Sequence, residues 1–438
     1  MKKQFFKTVL SLTLLSFLSF YFSPTAFAEN EDITEAGDYL QIILPAVAGL
    51  STFVAGNDEG GLWDKEGTYQ VIKSIGFSLA TMGVGKEFFQ KIRPDFSDPV
   101  SFPSGHTTAA FAGAGFIDQR YGHWWGVPAL LLAGFTGYSR VQSYNHFADD
   151  VTAGASIGLM YNWLFVTPQS ESSNVSVLPM VANGGAGLTL TISEAVKNES
   201  KTKPVSFKSR KSRYNFLFGP AYLHKNEIKA SRDTGTKFDL AYFEKVNDPT
   251  TTAAIDIAFY LDDRNEVSIY FSPFESRDRG SFSNPVSFSG QTFPANTQIY
   301  SDWLLYDLRG RWLYNLTPAS PWNVKAGVAL SYQYIETSLA TASGSLFAEV
   351  TGDVLLPFVS AMVSYQVNPK FSLGVEAEGI YFDEDSALNA NIFLNYRISD
   401  RWDFTAGYTY FVRNIDTSDI QNDVVYHAPY LGVAYSWL

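Results

Sequence analysis

From Tyr214 onward the chain alternates apolar and polar residues with a period of two, and this limits its fold more tightly than any other feature. Trp322, Val324, Ala326, Val328, Leu330, Tyr332 and Tyr334 mark one face, while Asn323, Lys325, Ser331 and Gln333 mark the other. Leu388, Ala390, Ile392, Leu394, Tyr396 and Ile398 alternate in the same way against Asn389, Asn391, Asn395 and Arg397. Successive side chains of a strand point to opposite faces, so each stretch is a strand with one apolar side. The pattern recurs at 253–261, 267–271, 304–316, 371–377 and 402–410. Short polar turns at 262–265, 317–321, 368–370 and 399–401 alternate with longer loops rich in Ser, Asn and Asp. Short turns on one side, long loops on the other and aromatic residues near strand ends predict an antiparallel transmembrane β-barrel of roughly ten strands, within eight to twelve. A soluble barrel needs a charged exterior. Charged residues make up only 17% of this chain, against about 25% in soluble proteins.

The first half reads differently. Residues 1–28 have the form of a signal peptide: Lys2, Lys3 and Lys7, then an apolar run from Thr8 to Phe22, then Ala26-Phe27-Ala28 as a cleavage site. Within 29–168, helix-sized apolar blocks fall near 36–56, 69–90, 105–120, 124–139 and 147–166, which predicts an all-α helical bundle. Its most apolar stretches are shorter than a membrane span and contain Pro45 and Pro128, so they are expected to be buried bundle helices. Residues 169–213 read as a polar, partly basic linker with a short hairpin, Val175 to Ile192, turning at Asn183-Gly184-Gly185. The barrel then occupies 214–438. Its last strand, Tyr430 to Leu438, resembles the terminal signal read by the barrel assembly machinery of bacterial outer membranes, with Trp437 penultimate rather than last.

A formal charge of -12 leaves no basic surface for nucleic acid. The absence of Cys excludes disulfides, thiolate metal sites and a Cys nucleophile.

Three segments of the helical half carry the chemistry: KEFFQKIRP (Lys86 to Pro94), PSGH (Pro103 to His106) and SRVQSYNHFADD (Ser139 to Asp150). Phosphoryl transfer needs cations for the phosphate oxygens, a nucleophile in line with the leaving oxygen and an acid to protonate that oxygen. Lys86 and Arg93 are two helical turns apart, which places both on one face of a continuous helix, and Arg140 adds a planar donor fork. Ser104 and Gly105 precede the block beginning at His106, so their N–H groups are expected at a helix N-terminus, where anions are favoured. His146 and Asp150 have helical i, i+4 spacing, and the carboxylate can hold one ring nitrogen while the other attacks. His106 remains as the general acid. Asp149, about 100° around a helix from Asp150, is expected to be a solvated or capping residue. His123, His224 and His427 are expected to be structural.

Together these segments resemble the signature of the type 2 phosphatidic acid phosphatase superfamily, which includes lipid phosphatases, bacterial class A acid phosphatases and vanadium haloperoxidases. The pattern is Lys, six residues, Arg-Pro; then Pro-Ser-Gly-His; then Ser-Arg, five residues, His, three residues, Asp, and every fixed position is filled. The resemblance implies a phosphohistidine on His146, His106 as acid, phosphate binding by Lys86, Arg93, Ser104, Gly105 and Arg140, and no metal or other cofactor. It points to a phosphatase acting on a membrane lipid phosphate: phosphatidate, phosphatidylglycerol phosphate, an isoprenyl pyrophosphate or a lipid A phosphate. The location expected is the Gram-negative outer membrane, with the barrel among outer-membrane lipids and the catalytic domain in the periplasm on the short-turn side. Two alternatives are a nonspecific acid phosphatase anchored by a barrel and a porin-like barrel with a non-catalytic phosphatase-like domain. A vanadate-dependent haloperoxidase is a third.

Overall fold

Ten antiparallel strands pair in a closed ring, so no strand edge is left open. The computed structural model describes residues 31–54, 63–169, 175–182, 185–192, 210–230, 235–245, 247–318, 320–381 and 386–438. The expected signal peptide and most of the expected linker lie outside the described residues. Five helices come first: α1 (Glu31–Ser51), α2 (Lys65–Phe89), α3 (Gly105–Tyr121), α4 (His123–Gln142) and α5 (Ala148–Phe165). The hairpin follows as β1 (Val175–Ala182) and β2 (Gly185–Ile192), antiparallel as expected; its turn residues 183 and 184 are not described.

The barrel strands are β3 (Ser212–Ala230), β4 (Thr250–Tyr260), β5 (Asn265–Gly280), β6 (Ile299–Asn315), β7 (Trp322–Thr341), β8 (Phe347–Gln366), β9 (Phe371–Tyr381), β10 (Ser386–Arg397), β11 (Trp402–Asp416) and β12 (Ile420–Trp437). Each pairs with its neighbour in sequence, and β12 returns to β3 to close the ring. The expectation of ten strands holds. Uniformly long connections on the second side do not: only 231–249 and 281–298 are long, while 342–346, 382–385 and 417–419 are as short as the turns opposite. Strands β7, β8, β11 and β12 use that sequence to extend the wall itself.

Two compact units make up the chain. One comprises residues up to 82, 104–143 and 154–200; the other comprises 83–103, 144–153 and 201–438. In the first, α3 is the core helix, with Ala110, Phe111, Ala112, Ala114 and Phe116 fully buried. A helix apolar on all sides must be surrounded. The Cα atoms of Gly113 and Gly158 allow the close crossings this needs: a Cβ on Gly113 would meet the Leu44–Pro45 backbone at 2.5 Å, and one on Gly158 would meet the Ala112 nitrogen at 2.7 Å. Helices α1, α2 and α4 depart from the expected buried bundle, whereas α5 is buried along most of its length. Ile42, Val47 and Leu50 of α1, Tyr69, Ile72 and Phe77 of α2, and Trp124, Trp125 and Leu131 of α4 are exposed. Four helices around one central helix do not bury every apolar face. No described helix is long and apolar enough to cross a membrane.

In the second unit, the inward faces of the strands carry a lattice of ion pairs. Arg309 contacts Asp307 and Glu378, Arg311 contacts Asp256, Glu376 and Glu378, and Lys325 contacts Glu266. Arg210, expected in a solvated linker, instead reaches Asp403 at 2.6 Å. A cavity of about 880 Å³ occupies this polar region and reaches the short turns at Asp262, Arg264, Pro318 and Lys370. Toward the other end the lumen is filled by an apolar core that includes Phe274, Phe288, Phe293, Trp303, Ile335, Phe411 and Tyr426. Outward, Val328, Leu330, Leu355, Val359, Val375, Ile392 and Leu394 are exposed in a band around β7–β10. At the short-turn end, Trp322–Tyr365, Phe371–Tyr396 and Trp402–Tyr435 pair as a ring of aromatics, as a membrane interface requires.

Candidate active site

The second unit holds Lys86, Arg93, His146 and Asp150. Helix α2 ends at Phe89, because Gln90 takes a left-handed conformation, φ 46°. Arg93 is therefore not on the helix with Lys86, and the expected shared face does not exist. An irregular segment, bent again at Phe96 (φ 62°), carries Arg93 back toward the start of α5. There the guanidinium donates from Nε to Asp98 Oδ1 at 2.7 Å and from Nη1 to the Asn145 carbonyl at 3.1 Å. The same Nη1 lies 3.3 Å from His146 Nε2. Lys86 donates to the Val100 carbonyl.

His146 also lies outside a helix, since α5 begins at Ala148. The i, i+4 geometry survives for a different reason: Asp150, in the first turn of α5, accepts from the Phe147 N–H at 2.9 Å and faces back toward His146. Its Oδ2 is 3.5 Å from His146 Nδ1 and accepts a short hydrogen bond from the Ser101 hydroxyl. This arrangement assigns the Nδ1 proton to the Asp150 side and leaves Nε2 facing Arg93. Burial holds the imidazole below its ordinary pKa; Asp150 opposes this, while Arg93 and Lys86 act in the same direction as burial. With Nε2 beside the Arg93 guanidinium, the ring nitrogen lies where a phosphate anion drawn to that cation would meet it.

Two residues beyond the motif positions complete this cluster. Lys91 is buried, with its ammonium 2.7 Å from Asp149 Oδ1, 2.9 Å from Asp150 Oδ1 and 4.1 Å from the centre of the Phe147 ring. Asp149, expected to be a solvated or capping residue, is buried and also accepts a hydrogen bond from Thr251. A buried carboxylate needs a partner, and Lys91 supplies it to both. Burial alone would raise the Asp150 pKa, but Lys91, His146 and Ser101 hold it well below the usual carboxylate range, whereas burial and the Asp150 charge push Asp149 up. Burial and Arg93 lower the Lys86 ammonium to about 8, against the pull of Asp150 and Asp98.

The first unit holds Ser104, Gly105, His106 and Arg140. Ser104 is the N-cap of α3, as expected: its side chain accepts from the Thr107 N–H at 3.4 Å and from the Thr107 hydroxyl at 3.0 Å. His106 and Arg140 share an unanticipated partner, Asp38 of α1. Its Oδ1 is 3.0 Å from His106 Nε2 and 2.7 Å from Arg140 Nη1. Arg140 also donates to the Thr34 carbonyl at 2.6 Å. Gly37 lets α1 come this close, because a Cβ there would lie 1.9 Å from Ser139 Oγ. The remaining histidines are paired structurally: His123 lies 2.7 Å from Asp118, and His224 lies 2.6 Å from His427.

In each unit a histidine and an arginine converge with a carboxylate: His146, Arg93 and Asp150 in the second, and His106, Arg140 and Asp38 in the first. Residues 68–172 match the PAP2 superfamily model, and the chain belongs to that superfamily. It is 32% identical over 142 residues to the lipid A 4'-phosphatase of Helicobacter pylori, spanning 31% of this chain and 70% of that protein. It is 34% identical over 128 residues to the lipid A 1-phosphatase of Porphyromonas gingivalis, spanning 28% of each. Among solved structures, the outer membrane protease OmpT from Escherichia coli is similar over 53% of this chain and 99% of its own, at 8% identity and a TM-score of 0.36.

Proposed function

We propose that this chain is a metal-independent phosphatase that hydrolyses a membrane-lipid phosphate through a phosphohistidine on His146, from a place in the Gram-negative outer membrane. One observation carries this reading: His146 sits between Asp150, 3.5 Å from Nδ1, and the Arg93 guanidinium, 3.3 Å from Nε2. In the first step Nε2 attacks phosphorus, the bond to the lipid oxygen breaks, and His106 gives that oxygen a proton. In the second step His106 takes a proton from water, the water oxygen attacks phosphorus, and the N–P bond breaks to release inorganic phosphate and restore His146. Lys86, Arg93 and Arg140, with the N–H groups at Ser104 and Gly105, neutralise the phosphate oxygens. The motif order that unites these residues in the family is what joins the two groups into one reaction.

The lipid reading draws support from relatives that include two lipid A phosphatases, and from the exposed apolar band of the barrel. Of the expected substrates, a lipid A phosphate is therefore the one proposed first. A conducting pore is disfavoured by the apolar core that fills one half of the lumen. Phosphate release from lipid A, phosphatidate and p-nitrophenyl phosphate by the purified chain in detergent tests the assignment. Lipid A is expected to be the best substrate, with no inhibition by EDTA, inhibition by vanadate, and no turnover by His146→Ala. Preference for p-nitrophenyl phosphate would establish the nonspecific acid phosphatase instead.

A further inference from the structure

The second unit contains its own ruler for the depth of the catalytic histidine. Segments 83–103 and 144–153 pack on the outer wall of β3–β6, and each contact has a definite height along a strand. Phe89 meets the Phe218 ring at 6.3 Å. Asp149 is bonded to Thr251, and the Ala148 N–H points to Glu275 at 3.4 Å. Ile92 is clamped from both sides by Asn247, its N–H donating at 2.8 Å and its carbonyl accepting at 3.1 Å. Arg277 donates to the Pro94 carbonyl and lies 4.9 Å over the Tyr144 ring, while Phe96 tilts against Tyr300 at 5.6 Å.

These partners fall where the wall changes character. Along β5 the outward residues run Val267, Ile269, Phe271 and Pro273, then Glu275, Arg277 and Arg279; along β4 they run Phe259, Ile257, Ile255 and Ala253, then Thr251. The apolar run gives way to polar residues at Thr251 and Glu275, the residues that hold Asp149 and Ala148. Glu275 is ten residues along β5 from Asn265 at the short-turn end. At about 3.3 Å per residue and a tilt near 40°, that is roughly 25 Å from the short-turn end, as tall as the lipid-facing band of such a barrel; here the run itself is covered, with Ile255, Ile257 and Phe271 buried, and the band open to lipid is the one on β7–β10. On the catalytic side, Val84 and Phe88 project exposed apolar side chains from the last turns of α2, on either side of Lys86 in sequence.

We infer that the site draws its substrate from the membrane leaflet on the long-connection side of the barrel, which in an outer membrane is the outward-facing leaflet, and that the ligand is a phosphorylated lipid anchored there. This rests on the phosphatase reading above and replaces the periplasmic placement expected from the strand connections: the His146 segment is held at the end of the wall opposite the short turns.

The chain has no Cys, so single cysteines report position cleanly. Ser97→Cys, on the exposed part of the catalytic segment, is compared in intact cells with Ser418→Cys in a long-side turn and Lys370→Cys in a short turn, using a membrane-impermeant maleimide. Ser97→Cys is expected to label as fully as Ser418→Cys, and Lys370→Cys only after the outer membrane is permeabilised. Labelling of Ser97→Cys only after permeabilisation, together with Lys370→Cys, would overturn the inference. Phosphate release by the Ser97→Cys chain in detergent is read alongside: its retention in the second case would discard the placement and leave the phosphatase reading standing, and its absence in an otherwise folded chain would count against that reading.

Discussion

Replacing Lys91 with Met tests whether the buried cluster behind His146 works as a unit. In the native cluster one ammonium faces two carboxylates, Asp149 and Asp150, all three nearly inaccessible to water. The substitution leaves two buried carboxylates without their counterion. Breaking a buried pair in this way costs about 3–5 kcal/mol of stability. The catalytic loss is smaller, because Asp150 keeps its bonds from Ser101 and from the Phe147 N–H. Losing one charge-assisted hydrogen bond, about 1.5–3 kcal/mol, slows turnover by roughly 10- to 100-fold. Adding Asp149→Asn to Lys91→Met restores the cluster's charge while leaving Asp150 to orient His146. The double variant is therefore expected to be more stable and more active than Lys91→Met alone, with a coupling of about 1–3 kcal/mol. Phosphate release in detergent and thermal unfolding measure the two effects. A double variant no better than Lys91→Met, in both assays, would refute the idea that Lys91 acts by neutralising this pair.

Three further outcomes are expected. With its pKa lowered to about 8, Lys86 is charged below that pH and neutral above it, so kcat/KM is expected to fall as pH rises through about 8; Lys86→Arg should move that limb upward even if the maximum drops, and an unmoved limb would assign it to another group. On the acid side, the lowered pKa of His146 keeps the ring unprotonated to lower pH than a free imidazole, so kcat/KM is expected to hold below the usual histidine range before it falls. Asp38→Asn removes a charged partner shared by His106 and Arg140 and should lower kcat/KM by roughly 10- to 100-fold, measured on the same lipid; unchanged kinetics would show that Asp38 merely happens to lie nearby.

The barrel was legible because the two-residue period is a local property, written directly in segments such as Trp322 to Tyr334. The candidate catalytic residues were legible because they sit in three short motifs. What the sequence could not show was how the chain runs between them. Helix α2 stops short of Arg93 at Gln90, and the chain turns again at Phe96 and Tyr144, three non-glycine residues with positive φ. A glycine would have marked each bend; these residues give no such sign. Lys91 and Asp149 looked like ordinary surface charges because their burial depends on each other and on Thr251, a hundred residues further on. Asp38 was hidden likewise, its partners His106 and Arg140 lying on helices far along the chain. The length of the connections opposite the short turns was misjudged because the strands continue into polar sequence, such as Glu275 to Gly280, that reads locally as loop.

The most direct test of the central claim is to trap the intermediate. Rapid acid-free denaturation of the chain during turnover of a lipid carrying labelled phosphate is expected to leave label on the protein, stable to base and lost in mild acid as an N–P bond requires, and mapping to the peptide that contains His146. Label that persists in His146→Ala, or full turnover by that variant with no labelled protein in either, would contradict the account.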